Sequence, residues 1–190
     1  MNSGKGSIIL LTVIAVATLL VAVVGATFAY FGATMNGSES KTTIEVTSGT
    51  LSVEYDSNSR IKASNLNPGD VVAKKTFTVT GVVTGSTNLN YEALLAIKNN
   101  TYTDGALVYT ITSKNVSNNG STITATSKPV AIPTGASTID LGKGLFAGPI
   151  AAGATHKYTV TITFANTGLD QSADLGKVVE GALQVSQSKK

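Results

Sequence analysis

Very few residues in this chain are equipped to do chemistry. There is one histidine, His156, and there is no cysteine. A zinc peptidase needs two imidazoles one helical turn apart with a glutamate base, the H-E-x-x-H pattern, and one histidine cannot supply it. The lack of cysteine also excludes disulfide scaffolds, zinc ribbons, iron–sulfur centres and thiol nucleophiles. A serine nucleophile would be expected on a G-x-S-x-G elbow, which the sequence does not contain. His156 opens an alternating run, so it is expected at a strand edge on the surface. Asp170 and Asp174 share a Gly-containing stretch with Gln171 and Gly176. Two carboxylates with loop carbonyls are the ligand type Ca²⁺ takes. The competing reading is that each caps a turn through local backbone hydrogen bonds, and this is favoured. No cofactor is expected, and the reading is non-enzymatic.

The elements that would carry these residues begin with an apolar segment. Lys5 is the only charged side chain before Glu39, and Ile8 to Phe31 runs for 24 residues without a charge. As a helix this run would be roughly 36 Å long, enough to cross about 30 Å of hydrocarbon. Thr27-Phe28-Ala29 gives a small-x-small end, so a signal peptidase would cut between Ala29 and Tyr30. The run is longer than the usual signal, and a retained membrane anchor stays open. Residues 1–29 are therefore a signal peptide or an N-terminal anchor, formed as one hydrophobic helix. Either way the rest is expected outside the cell or on its surface.

Residues 30–48 are small and polar, a flexible segment ending in the alternating pair Ile44 and Val46. From residue 49 the hydropathy pattern has period two. Leu51, Val53 and Tyr55 alternate with polar residues. So do Phe77 and Val79; Leu89, Tyr91, Ala93, Leu95 and Ile97; Leu107, Tyr109 and Ile111; Tyr158, Val160, Ile162 and Phe164; and Val179, Gly181, Leu183 and Val185. Such alternation gives strands with one buried and one wet face. Asn67-Pro68-Gly69-Asp70 suits a type II turn. Thr103-Asp104-Gly105 and Asn118-Asn119-Gly120 read as hairpin turns. Pro129 and Pro133 confine Val130–Ile132 to an edge or a connection, and the glycines of 142–153 suggest a loop. The expected fold is all-β: an antiparallel sandwich of jelly-roll or Greek-key type over residues 49–190. Charged residues are only 13% and the net charge is +3, with no basic stripe, so no nucleic-acid partner is expected.

Several motifs in order carry a resemblance. Ala26-Thr27-Phe28-Ala29-Tyr30-Phe31 is similar to leaders processed by the SipW-type signal peptidase of Gram-positive bacteria. Gly49-Thr50-Leu51-Ser52-Val53 follows, then Asn65-Leu66-Asn67-Pro68-Gly69-Asp70 and Lys75-Thr76-Phe77-Thr78-Val79. Together they resemble the TasA/camelysin group of exported β-sandwich proteins. The resemblance implies an extracellular structural subunit of a surface fibre, pilus-like filament or biofilm matrix. Such subunits join when the N-terminal segment of one fills a strand groove in the next, which would make Ile44 and Val46 donor-strand residues and a second copy the partner. A plain edge strand over 42–47 within one subunit is the alternative. An anchored, adhesin-like binding module is the other functional reading, and a camelysin-type protease is set against the single histidine.

Overall fold

A computed structural model describes residues 42–46 and 49–188. The expected N-terminal helix, the cut at Ala29 and Tyr30, and most of the 30–48 segment lie outside the described residues. Among the described residues no helix is long and apolar enough to cross a membrane.

The described chain is almost entirely strand. In order it forms β1 (Thr42–Val46), β2 (Gly49–Tyr55), β3 (Arg60–Ser64), β4 (Val71–Val83), β5 (Leu89–Asn100), β6 (Leu107–Asn115), β7 (Val130–Ala131), β8 (Ser137–Phe146), β9 (Ile150–Phe164) and β10 (Val178–Gln187). One 3-10 turn, Ser172–Asp174, precedes β10. The strands make two antiparallel sheets, ordered β1-β2-β4-β9-β6-β7 and β3-β10-β5-β8. Side chains on a strand alternate between faces, so the period-two runs each supply one buried row. Phe77 and Val79 of β4, Tyr158, Val160, Ile162 and Phe164 of β9, and Leu107 and Ile111 of β6 line the first sheet's inner face. Leu89, Tyr91, Ala93, Leu95 and Ile97 of β5, with Val179 and Leu183 of β10, line the second. All of them belong to one hydrophobic core. This is the expected all-β, two-sheet architecture.

The connections are where expectation and structure part. Asn67-Pro68-Gly69-Asp70 is a tight turn closed by Asp70 N–H to the Asn67 carbonyl at 3.0 Å. Gly69 sits at φ +98°, the left-handed value that the third position of a type II turn demands. It carries the chain from β3 in one sheet to β4 in the other. Thr103-Asp104-Gly105 is also a turn, but not a hairpin: β5 and β6 belong to different sheets. Asn118-Asn119-Gly120 is not a hairpin turn either. It begins a long excursion from β6 to β7, and β7 is the short edge element expected between the prolines. Residues 142–146, expected as loop, continue β8, and β9 starts at Ile150. The glycine at 144 is there for space: a Cβ at this position would overlap the Tyr91 ring.

Candidate functional site

The chemistry-bearing residues gather in the core. The alternation of β9 buries Ala154, Tyr158, Val160 and Ile162, and His156 falls on the same parity. It is fully buried. This corrects its expected surface position: it lies inside β9, opposite Val79 of β4 and Asn115 of β6, not at an exposed strand edge. Its ring stacks on Phe146 of β8 with centroids 4.2 Å apart.

Four groups share one hydrogen-bond chain with it. His156 Nε2 is 2.8 Å from the Asn119 carbonyl. A carbonyl only accepts, so Nε2 carries the proton and Nδ1 is the acceptor. The Tyr91 hydroxyl lies 2.5 Å from Nδ1 and must donate to it. The Tyr91 oxygen then accepts from the Tyr158 hydroxyl, and the Tyr158 oxygen accepts from Ile123 N–H at 3.1 Å. Each proton has one acceptor, and the chain runs in a single direction. It joins β5 of one sheet to β9 of the other and to the 119–123 segment. Burial lowers the His156 pKa, opposed by its bond to the Asn119 carbonyl. Burial also raises both tyrosines. The imidazole is therefore neutral at pH 7. With these rings buried, the arrangement ties the two sheets together.

A second polar centre lies at Asp174. It is buried, and its carboxylate accepts from Thr103 N–H at 2.7 Å and from the Thr103 hydroxyl at 2.6 Å. Beside it, Tyr102 N–H donates to Asn100 Oδ1, and the Tyr102 hydroxyl donates to the Lys177 carbonyl. Asp170 is exposed and accepts from Ser172 N–H at 2.9 Å, which holds its carboxyl below the usual range. So Asp170 makes a local bond to the amide two residues on, at the start of the 3-10 turn, while Asp174 fastens the β5–β6 turn from across the chain. Among the described residues no three His, Cys, Asp or Glu side chains gather where they could hold a metal ion. Ile44 and Val46 lie in β1, paired with Leu51 and Gly49 of β2.

The family model described as camelysin metallo-endopeptidase matches residues 8–121. The chain belongs to the camelysin family. The match takes in the GTL strand (β2), the NPGD turn and the Lys75–Val79 part of β4. No curated protein matches the chain. Among solved structures it is similar to a ruminal GH26 endo-β-1,4-mannanase, at 12% identity and TM-score 0.31, over 62% of this chain and 18% of that one. It is also similar to a GH26-CBM35 β-(1,4)-mannanase of Podospora anserina, at 10% identity and TM-score 0.29, over 80% and 29%. A third is the K1 cleaved adhesin domain of Lys-gingipain from Porphyromonas gingivalis, at 12% and 0.29, over 81% and 95%. The chain thus spans less than a third of either mannanase, and at these TM-scores none carries an argument.

The family's description implies a metal, and the described residues do not fit one. The sole histidine spends both ring nitrogens on Tyr91 and Asn119. The one buried carboxylate of the Asp170–Asp174 stretch spends both oxygens on Thr103.

Proposed function

We propose that this camelysin-family chain is an exported structural subunit, non-enzymatic, that joins copies of itself into a surface fibre, pilus-like filament or matrix. Export uses residues 1–29, with signal peptidase cutting after Ala29 and the new N-terminus at Tyr30. The observation that carries the assembly reading is the place of β1. It is the first described strand and ends the six-stranded sheet. It is laddered to β2 from Thr42↔Val53 to Val46↔Gly49. Only residues 47–48 separate the two strands. Within one copy β1 is the plain edge strand of the alternative reading; moving it onto the β2 of a second copy would keep the same ladder, at the cost of opening the 47–48 connection and of association entropy. The sheet orders also support the jelly-roll form of the sandwich. Without the β1–β2 hairpin, the remaining eight strands run first-eighth-third-sixth in one sheet and second-seventh-fourth-fifth in the other.

Electron microscopy of the chain starting at Tyr30, at high concentration, tests this. Filaments are expected, and Ile44→Asp combined with Val46→Asp should abolish them, because a donated strand would have to bury two unpaired charges. Monodisperse monomers for both proteins would refute assembly. Filaments unaffected by the double substitution would refute strand exchange. Intact mass of the native protein tests export: a start at Met1 would make the leader an anchor.

A further inference from the structure

β8 is an edge strand of the second sheet, and an edge left open recruits other strands. Here the edge is covered. Ser121 N–H donates to the Leu145 carbonyl at 2.9 Å, and Leu145 N–H donates to the Ser121 carbonyl at 2.8 Å. Asn119 continues the cover past the end of β8. Its amide donates to the Ala147 carbonyl at 3.0 Å and accepts from Ala147 N–H at 2.9 Å. From within, this cover is held by the two ends of the buried chain, His156 on Asn119 and Tyr158 on Ile123, by the Asn115 side chain on Asn119 and Gly120, and by the Ile123 side chain in the core.

We propose that residues 119–123 are an acid-released cover on the β8 edge, latched by neutral His156. Protonation of Nδ1 makes the ring a donor on both sides. Tyr91 must then accept from the ring and turn its own proton toward Tyr158. The Tyr158 oxygen already accepts from Ile123 N–H, so the Tyr158 proton loses its acceptor inside the core. The new charge has no counter-ion among its neighbours. The titratable groups at the ring are Tyr91 of β5 and Tyr158 of β9, and Phe146 of β8, Val79 of β4 and Asn115 of β6 are uncharged. Nδ1 lies deep against Tyr91, whereas Nε2 lies beneath Asn119, which is only partly buried, and next to exposed Gly120. Lifting the 119–123 segment, against its Asn115 bonds and the burial of Ile123, is thus the shortest way to hydrate the imidazolium, and it leaves the strand ladders in place. The direction follows from linkage. The closed form lowers the His156 pKa, so its advantage is complete above the ordinary value of about 6.5 and is lost as pH falls below it.

Backbone hydrogen exchange on the full chain in mild detergent tests this, corrected for intrinsic rates. Between pH 7.5 and 5.0, opening at the Ser121, Ile123 and Leu145 amides should rise by up to about 30-fold, the protonation factor of a free imidazole over that interval. The Val79 and Val160 amides should not change. In His156→Gln the pH response at the three amides should vanish. No rise, or an equal rise at Val79 and Val160, would overturn the proposal. Nitrogen-15 shifts of the single histidine provide a test that needs no variant: the Nε2–H tautomer at neutral pH is expected, and the Nδ1–H tautomer would overturn the latch.

Discussion

The direction of the buried hydrogen-bond chain makes Tyr91→Phe and Tyr158→Phe unequal, although each removes one oxygen. Tyr91 donates to His156 Nδ1 and accepts from Tyr158. Without its hydroxyl, Nδ1 loses its donor and the Tyr158 proton loses its acceptor. Each orphaned buried group costs about 1–3 kcal/mol, so Tyr91→Phe should cost about 2–6 kcal/mol. In Tyr158→Phe the Tyr91 proton still reaches Nδ1, and only Ile123 N–H is orphaned, at about 1–3 kcal/mol. The double variant orphans Nδ1 and Ile123 N–H, two groups against three for the summed singles. It should therefore be about 1–3 kcal/mol more stable than additivity gives. Urea unfolding by linear extrapolation measures all three, provided the slopes agree with the parent's. Whole-domain stability is about 5–15 kcal/mol, so the singles should remain measurable. A Tyr158→Phe cost equal to or above that of Tyr91→Phe, or strict additivity, would refute the assigned direction and with it the neutral Nε2–H tautomer.

Other perturbations test the packing and the second polar centre. Leu95 of β5 and Ile162 of β9 are fully buried, so truncating either to Ala should cost about 2–5 kcal/mol in urea unfolding; under about half a kcal/mol at both would mean that the inward face is misassigned. Asp174→Ala removes the acceptor of Thr103 N–H and should cost about 1–3 kcal/mol, and Asp174→Asn, which keeps an acceptor oxygen, should cost less. Millimolar Ca²⁺ should leave the parent's thermal midpoint unchanged; an upward shift of several degrees would show that the Asp170–Asp174 stretch binds it.

Strand faces were the most legible part of the sequence, because alternation is a direct consequence of strand geometry and one-sided burial. Every residue of the Leu89–Ile97 and Tyr158–Phe164 apolar rows is buried. The Pro-Gly turn was legible because only a positive φ satisfies it. The hairpins were not: Thr103-Asp104-Gly105 reverses the chain, but a local reversal does not say which sheet the next strand joins. β8 was hidden by Gly142 and Gly144. Glycine reads as loop from sequence, yet at 144 it makes room for a ring from a strand 53 positions earlier. His156 could have been found. Carrying the parity of Tyr158 back one step places it on the buried row, and a buried histidine demands partners. Nothing in sequence could pair Asp174 with Thr103, 71 positions away.

The same geometry bears on how the family's description applies to this chain. For His156 to ligate a metal, one ring nitrogen would have to be freed. Freeing Nδ1 strands the Tyr91 proton in surroundings where an unpaired polar group costs about 1–3 kcal/mol, and freeing Nε2 takes from the Asn119 carbonyl one of its two donors, Asn115 Nδ2 being the other. The ring would also have to leave its stack on Phe146 and bring a divalent charge toward uncharged partners. Metal ligands do use a second nitrogen to bond a carbonyl or carboxylate, which fixes their orientation. Here the carbonyl is present, but the other nitrogen points at a tyrosine hydroxyl inside the core. The histidine thus has the outer support of a ligand and the environment of a packing residue. Its position ties the two sheets to each other and to the 119–123 segment.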